Sequence, residues 1–143
     1  MISLMDVNTL VALFDPAHIH HERAHEWFEG SKVGGIATCP LTQNGLVRVL
    51  SNVKYPGRRT TVTDALDRLR IFTEGSVHTF WSDSISLLDN CDARHIKGAK
   101  QLTDVYLLAL AVKNDGCLVT LDRGISVHAV PNAKPTNLLL LPA

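Results

Sequence analysis

Apolar residues along this chain fall into two kinds of stretch, short continuous runs and longer segments with helical spacing. The runs at 2–5, 35–39, 116–121 and 138–141 carry few polar positions, the pattern of strands buried on both faces. Residues 78–81, HTFW, add a candidate fifth strand. Residues 8–14 read as a helix closed by Asp15-Pro16. Residues 18–28 place Ala24, Trp27 and Phe28 on one helical face, with Gly30 expected as the C-terminal cap. Pro40 is suited to opening a helix that carries Leu41, Val47 and Leu50. The stretch 60–72 sets Val62, Leu66, Leu69 and Phe72 on one face and Asp64, Asp67 and Arg68 elsewhere. Another helix starts around Ile85, Leu87 and Leu88 and gives way near Arg94 to the loop HIKGAKQ. Residues 102–112 are apolar nearly all round, which predicts a buried helix.

Strands alternating with helices predict an α/β fold with a mostly parallel central sheet of four or five strands, flanked by helices on both faces. At 143 residues the chain is expected to form a single domain over 1–143. Ligands of such sheets bind beyond the carboxyl ends of the strands. Asp6 and Asp122 each close an apolar run and fall there.

Composition narrows the function classes. Hydrophobic residues are 45% and charged residues 20% of the chain, ordinary for a globular protein and unlike a disordered one. Lys plus Arg and Asp plus Glu are 14 each, so a protein that coats nucleic acid through a strongly basic surface is excluded. An enzyme that meets RNA at one focused site is not. Cys39, Cys91 and Cys117 have no CxxC spacing, so neither a zinc site nor a disulfide framework is expected. The start MISLMDVNTLVALF has no basic leader, and Asp6 and Asn8 interrupt it; it reads as neither signal peptide nor membrane span. A cytoplasmic protein without membrane contact is expected.

Three acids stand at the edges of core elements: Asp6 after ISLM, Asp104 at the start of TDVYLLALA, and Asp122 after CLVTL. A carboxylate in such a place costs stability unless it is paired or metal-bound. Each also has a local reading. Asp6 would cap the following helix, Asp104 would sit beside a capping Thr103, and Asp122 would open a turn before Gly124. Two or three converging carboxylates suffice for a hard cation such as Mg²⁺. With a phosphodiester as substrate, such a centre activates water.

Together these segments resemble the PIN domain, in particular the VapC-like toxins of bacterial toxin–antitoxin pairs. ISLMDVNTLVALFD resembles the family's opening strand with its D-x-N, PLTQNGLVRVLS its second motif, and LTDVYLLALAVKNDGCLVTLDRGI its third and fourth. The resemblance spans essentially the whole chain. It implies a metal-dependent ribonuclease using Mg²⁺, with Mn²⁺ as substitute. Asp6, Asp104 and Asp122 are then the catalytic metal ligands, with Asn8 and Thr120 in support. It also implies an RNA substrate, a small antitoxin protein that neutralises the activity, and a homodimer. One position departs from the pattern: the usual motif-two Glu is Gly45 here. Gln43 or Asn44 is the expected partial substitute, and Gly45 is also consistent with close helix packing.

Basic side chains form a second set. Arg48 lies on the helix of the altered motif, and Lys54, Arg58 and Arg59 crowd the loop NVKYPGRR beside Tyr55. These are candidates for holding RNA phosphates, with Tyr55 for base stacking; the alternative is a solvated loop. His18, His20, His21 and His25 lack an accompanying glutamate at HExxH spacing and read as surface. Two other functions remain open: a PIN-like module that binds RNA or protein without cutting, and a haloacid-dehalogenase-like phosphatase. Against the phosphatase, its second carboxylate is replaced by Asn8, and the chain is too short for a cap domain.

Overall fold

The computed structural model describes residues 1–142. Its elements run β1 (Ser3–Met5), α1 (Val7–Phe14), α2 (His21–Ser31), β2 (Ile36–Thr38), α3 (Pro40–Ser51) and α4 (Val62–Thr73). They continue with β3 (His78–Phe80), α5 (Leu87–Asn90), α6 (Leu102–Lys113), β4 (Cys117–Thr120) and β5 (Leu138–Leu140). The strands form one sheet in the order β3-β2-β1-β4-β5, and every pairing is parallel. The expected α/β fold is therefore present, with a wholly rather than mostly parallel sheet.

Period-two alternation along the strands divides the interior into two cores. Leu4, Ala37 and Leu118 face one way and pack with Val105, Leu107, Leu108 and Leu110 of α6. Met5, Ile36 and Val119 face the other way, toward Leu10 and Phe14 of α1, Leu46 and Leu50 of α3 and Leu69 of α4. Both sheet faces are thus covered by helices. At about 25 cal/mol per Å² of apolar burial, each fully covered Leu, Ile or Met contributes roughly 1.5–3 kcal/mol.

Several local expectations are corrected. The second helix does not stop at Gly30; it runs through that glycine to Ser31 and a 3₁₀ turn, Lys32–Gly34. The chain reverses at Gly35 instead, where φ is 103°. The buried side of α4 is also rotated from expectation. Ala65 and Leu69 are buried, while Val62 and Leu66 are exposed. Ala65 and Leu69 belong to the cluster that contains Phe14 of α1 and Leu46 and Leu50 of α3. The segment after Ile85 yields only the short α5 and a 3₁₀ turn, Ala93–His95.

β1 is the central strand, with β2 on one side and β4 on the other. The connection after β1 leads to β2 on one side and that after β4 to β5 on the other, which opens a crevice between the carboxyl ends of β1 and β4. The residue following β1 is Asp6.

Candidate active site

Asp6 is held from three sides. Its backbone N–H donates to the carbonyl of Val119 (3.1 Å), docking it onto the end of β4. As N-cap of α1, its Oδ1 accepts from the N–H of Thr9 (2.9 Å). Oδ2 accepts from the hydroxyl of Thr120 (2.5 Å). The capping expectation for Asp6 is correct, and it occupies one oxygen only. Burial holds its proton affinity above the usual carboxylate range, although the bonds from Thr120 and Thr9 pull the other way; Asp122 adds to the rise.

Thr120 links two of the acids. Its Oγ1 donates to Asp6 and accepts from the backbone N–H of Asp122 (2.9 Å). Asp122 then turns the chain, its Oδ1 accepting from the N–H of Gly124 (2.7 Å). The turn reading of Asp122 is therefore also correct.

Asp104 lies in the first turn of α6. The N-cap of that helix is Gln101 and carries no side-chain cap bond, so Thr103 does not cap it. Nor does Asp104 act as a simple helix-start acid. Its carboxyl is pushed up to about 7, first by burial and then by the negative charges of Asp6 and Asp122. Asp104 therefore lies within reach of the charges of both other acids. Among the described residues, no Lys, Arg or His forms an ion pair with any of them. Also among the described residues, no three Asp, Glu, His or Cys side chains are gathered into a preformed ligand cluster. A hard divalent cation fits this set: the donors are all oxygen, and no cation among the described residues is ion-paired to them.

Asp104 opens onto a cleft of about 680 Å³. Asn8, Asn44, Gly45, Arg48, Asp83 and Lys100 also line it. Of the expected motif-two substitutes, Asn44 reaches this cleft and Gln43 does not. The Gln43 amide donates instead to Thr38 Oγ1 (2.9 Å), which also contacts His78 Nε2 (2.7 Å). Gly45 faces the side chain of Val7, not backbone. A Cβ built there would stand 2.6 Å from Val7 Cγ2.

The basic residues divide. Arg48 shares the cleft with Asp104, whereas Arg58 and Arg59 line a second cleft of about 520 Å³ with Phe14, Asp15 and Arg68. Lys54 is exposed in the turn after Asn52 and lines neither. Tyr55 is not free for stacking on both sides: its hydroxyl donates to Asp15 Oδ2 (2.5 Å) and Gly57 lies against its ring.

Two cleft residues escaped the sequence reading. Lys100 is four residues before Asp104, a spacing that puts both on one side of the helix start. Asp83 follows the carboxyl end of β3 by the same rule that located Asp6 and Asp122.

Comparison with known proteins bears on the family and the fold. The PIN domain profile matches residues 4–130. The chain is 46% identical over 143 residues to Ribonuclease VapC44 of Mycobacterium tuberculosis, covering 99% of this chain and 100% of that protein. It is 41% identical over 141 residues to Ribonuclease VapC38 of the same organism, covering 98% and 99%. In fold it is similar to a chain in the crystal structure of VapBC2 from Rickettsia felis bound to a DNA fragment from their promoter. The TM-score is 0.59 at 18% identity, over 98% of this chain and 97% of that one.

Proposed function

Since the chain belongs to the PIN domain family, we propose that it is a Mg²⁺-dependent endoribonuclease, a VapC-like toxin held in check by a small antitoxin protein. The observation that carries this reading is the linkage of Asp6 to Asp122 through Thr120 with Asp104 within reach of both charges, no cation among the described residues being ion-paired to any of the three. Kinship to proteins named ribonucleases over nearly the full chain supports the choice of substrate. In this reading residues 1–143 work as one domain in the cytoplasm, and two copies pair as a homodimer, the commonest symmetric assembly.

Asp6, Asp104 and Asp122 would hold the metal, and Mn²⁺ would substitute for Mg²⁺. When bound, the cation would activate the attacking water and stabilise charge on the leaving oxygen. Thr120 keeps the Asp6 carboxylate from rotating and ties its position to that of Asp122. Asp104 must release its proton before it can ligate, because only the carboxylate form serves. Arg48, exposed on the cleft, holds an RNA phosphate beside Asp104, and Lys100 offers a second cation on the same wall. Asn8 and Asn44 offer neutral hydrogen-bonding groups in place of the missing glutamate. Arg58, Arg59 and Lys54, which do not line this cleft, would act on another part of the RNA.

The test is Asp104→Asn, which keeps shape and removes charge. Cleavage of total cellular RNA in the presence of Mg²⁺ is expected to disappear while the melting temperature stays the same or rises. Full cleavage by the folded variant would refute the assignment.

A further inference from the structure

The site described so far contains three acids on three elements, and nothing yet accounts for how α6 is registered against the turn that carries Asp122. Gln101 does this. It stands at the N-cap of α6, where a short polar side chain ordinarily folds back onto the helix amides, yet its amide makes no cap bond. The side chain spans to two other segments. Its Oε1 accepts from the backbone N–H of Lys97 (3.0 Å), and its Nε2 donates to the carbonyl of Gly124 (2.7 Å).

Gly124 is the residue whose N–H anchors Asp122 Oδ1 (2.7 Å). A continuous hydrogen-bonded series therefore runs from Lys97 through Gln101, Gly124, Asp122 and Thr120 to Asp6. Gln101 is three residues before Asp104 and next to Lys100, so the same contact places both on the cleft. The fit at Gly124 is close: a Cβ built there would stand 2.7 Å from Gln101 Nε2 and 3.2 Å from Asp122 Oδ1. Only a residue without a side chain lets the amide reach the carbonyl.

We infer that Gln101 is a positioning residue for the metal site, setting the separation between the carboxylates of Asp104 and Asp122. It touches neither substrate nor metal and acts through the Gly124 turn. This rests on the metal-centred reading above. Partners that orient metal ligands in this way typically change metal affinity by roughly 10–100-fold when lost.

The experiment is calorimetric titration with Mn²⁺ of the wild-type protein, Asp104→Asn, Gln101→Met and Gly124→Ala, each checked for folding by circular dichroism and melting temperature. Methionine preserves length and helix propensity while removing both hydrogen bonds. The expected result is that Gln101→Met binds Mn²⁺ on the order of tenfold or more weakly than wild type while remaining folded, and that Gly124→Ala shifts affinity the same way. A purely structural role would lower the melting temperature and leave affinity unchanged. Wild-type affinity in folded Gln101→Met and Gly124→Ala, with binding lost in Asp104→Asn, overturns the role of Gln101 and spares the metal site. Absence of Mn²⁺ binding by the wild type overturns both.

Discussion

The hydroxyl of Thr120 stands 2.5 Å from Oδ2 of Asp6, joining residues 114 positions apart in the chain. Both groups are buried. Thr120→Val keeps the volume and deletes the hydroxyl, leaving the Asp6 oxygen and the Asp122 N–H each without this partner. An unsatisfied buried polar group costs about 1–3 kcal/mol, so the variant is expected to melt at lower denaturant than wild type. It is also expected to cut RNA more slowly, since Asp6 loses its orientation. A variant with unchanged urea midpoint and unchanged cleavage rate would show that the hydroxyl does neither.

The pH dependence of stability has a defined sign. Burial and the charges of Asp6 and Asp122 push the Asp104 carboxyl in the folded protein up to about 7, from an ordinary value of 3.8. Between these limits the folded state binds more protons than the unfolded state, so stability falls as pH rises across that window. The decline ends once pH has passed the folded value. Asp6 is shifted in the same direction and adds to the slope. Urea unfolding in chelator at about pH 5 and about pH 8 is expected to show a smaller loss in Asp104→Asn than in wild type. Equal losses would mean that Asp104 titrates like an exposed acid.

Gly45 and Val7 bring α3 against α1 at short range. A Cβ at Gly45 would meet Cγ2 of Val7 at 2.6 Å and Cγ1 at 3.1 Å. A β-branched side chain in a helix has one strongly preferred rotamer and cannot swing aside cheaply. Gly45→Ala is therefore expected to destabilise by about 1–3 kcal/mol through overpacking, despite alanine's better helix propensity. Val7→Ala in the same chain should recover most of that loss. Thermal melts of the two single variants and the double variant check this; additive effects would show that the residues do not meet. The same crowding explains why a glutamate does not fit at position 45 without rearrangement of α1.

What the sequence made legible was carried by short-range pattern. The apolar runs ending in Asp6 and Asp122, and the all-apolar helix after Asp104, are local signals, and the rule of strand-end binding made them a candidate site. What escaped depends on contacts far apart in the chain. Tyr55 is tied to Asp15 across 40 positions, and the loop it anchors carries Arg58 and Arg59 to a separate cleft. The Gln101–Gly124 contact spans 23 positions. Gln43 was misplaced for a related reason: helical spacing puts it near the altered motif, but its amide is taken by Thr38. The buried side of α4 carries Ala65 and Leu69 and leaves the larger Val62 and Leu66 exposed, an outcome that hydrophobicity alone does not encode.

The central position of β1 has a consequence for biosynthesis. β1 is synthesised well before β4, the strand that pairs with it and brings Thr120 to Asp6. Pairing across such a sequence separation is slow to form and waits for the late segment. A nascent or truncated chain ending before β4 has Asp6 but neither Thr120 nor Asp122 to complete its surroundings. The acidic centre thus assembles only after β4 has been made, however early Asp6 itself emerges.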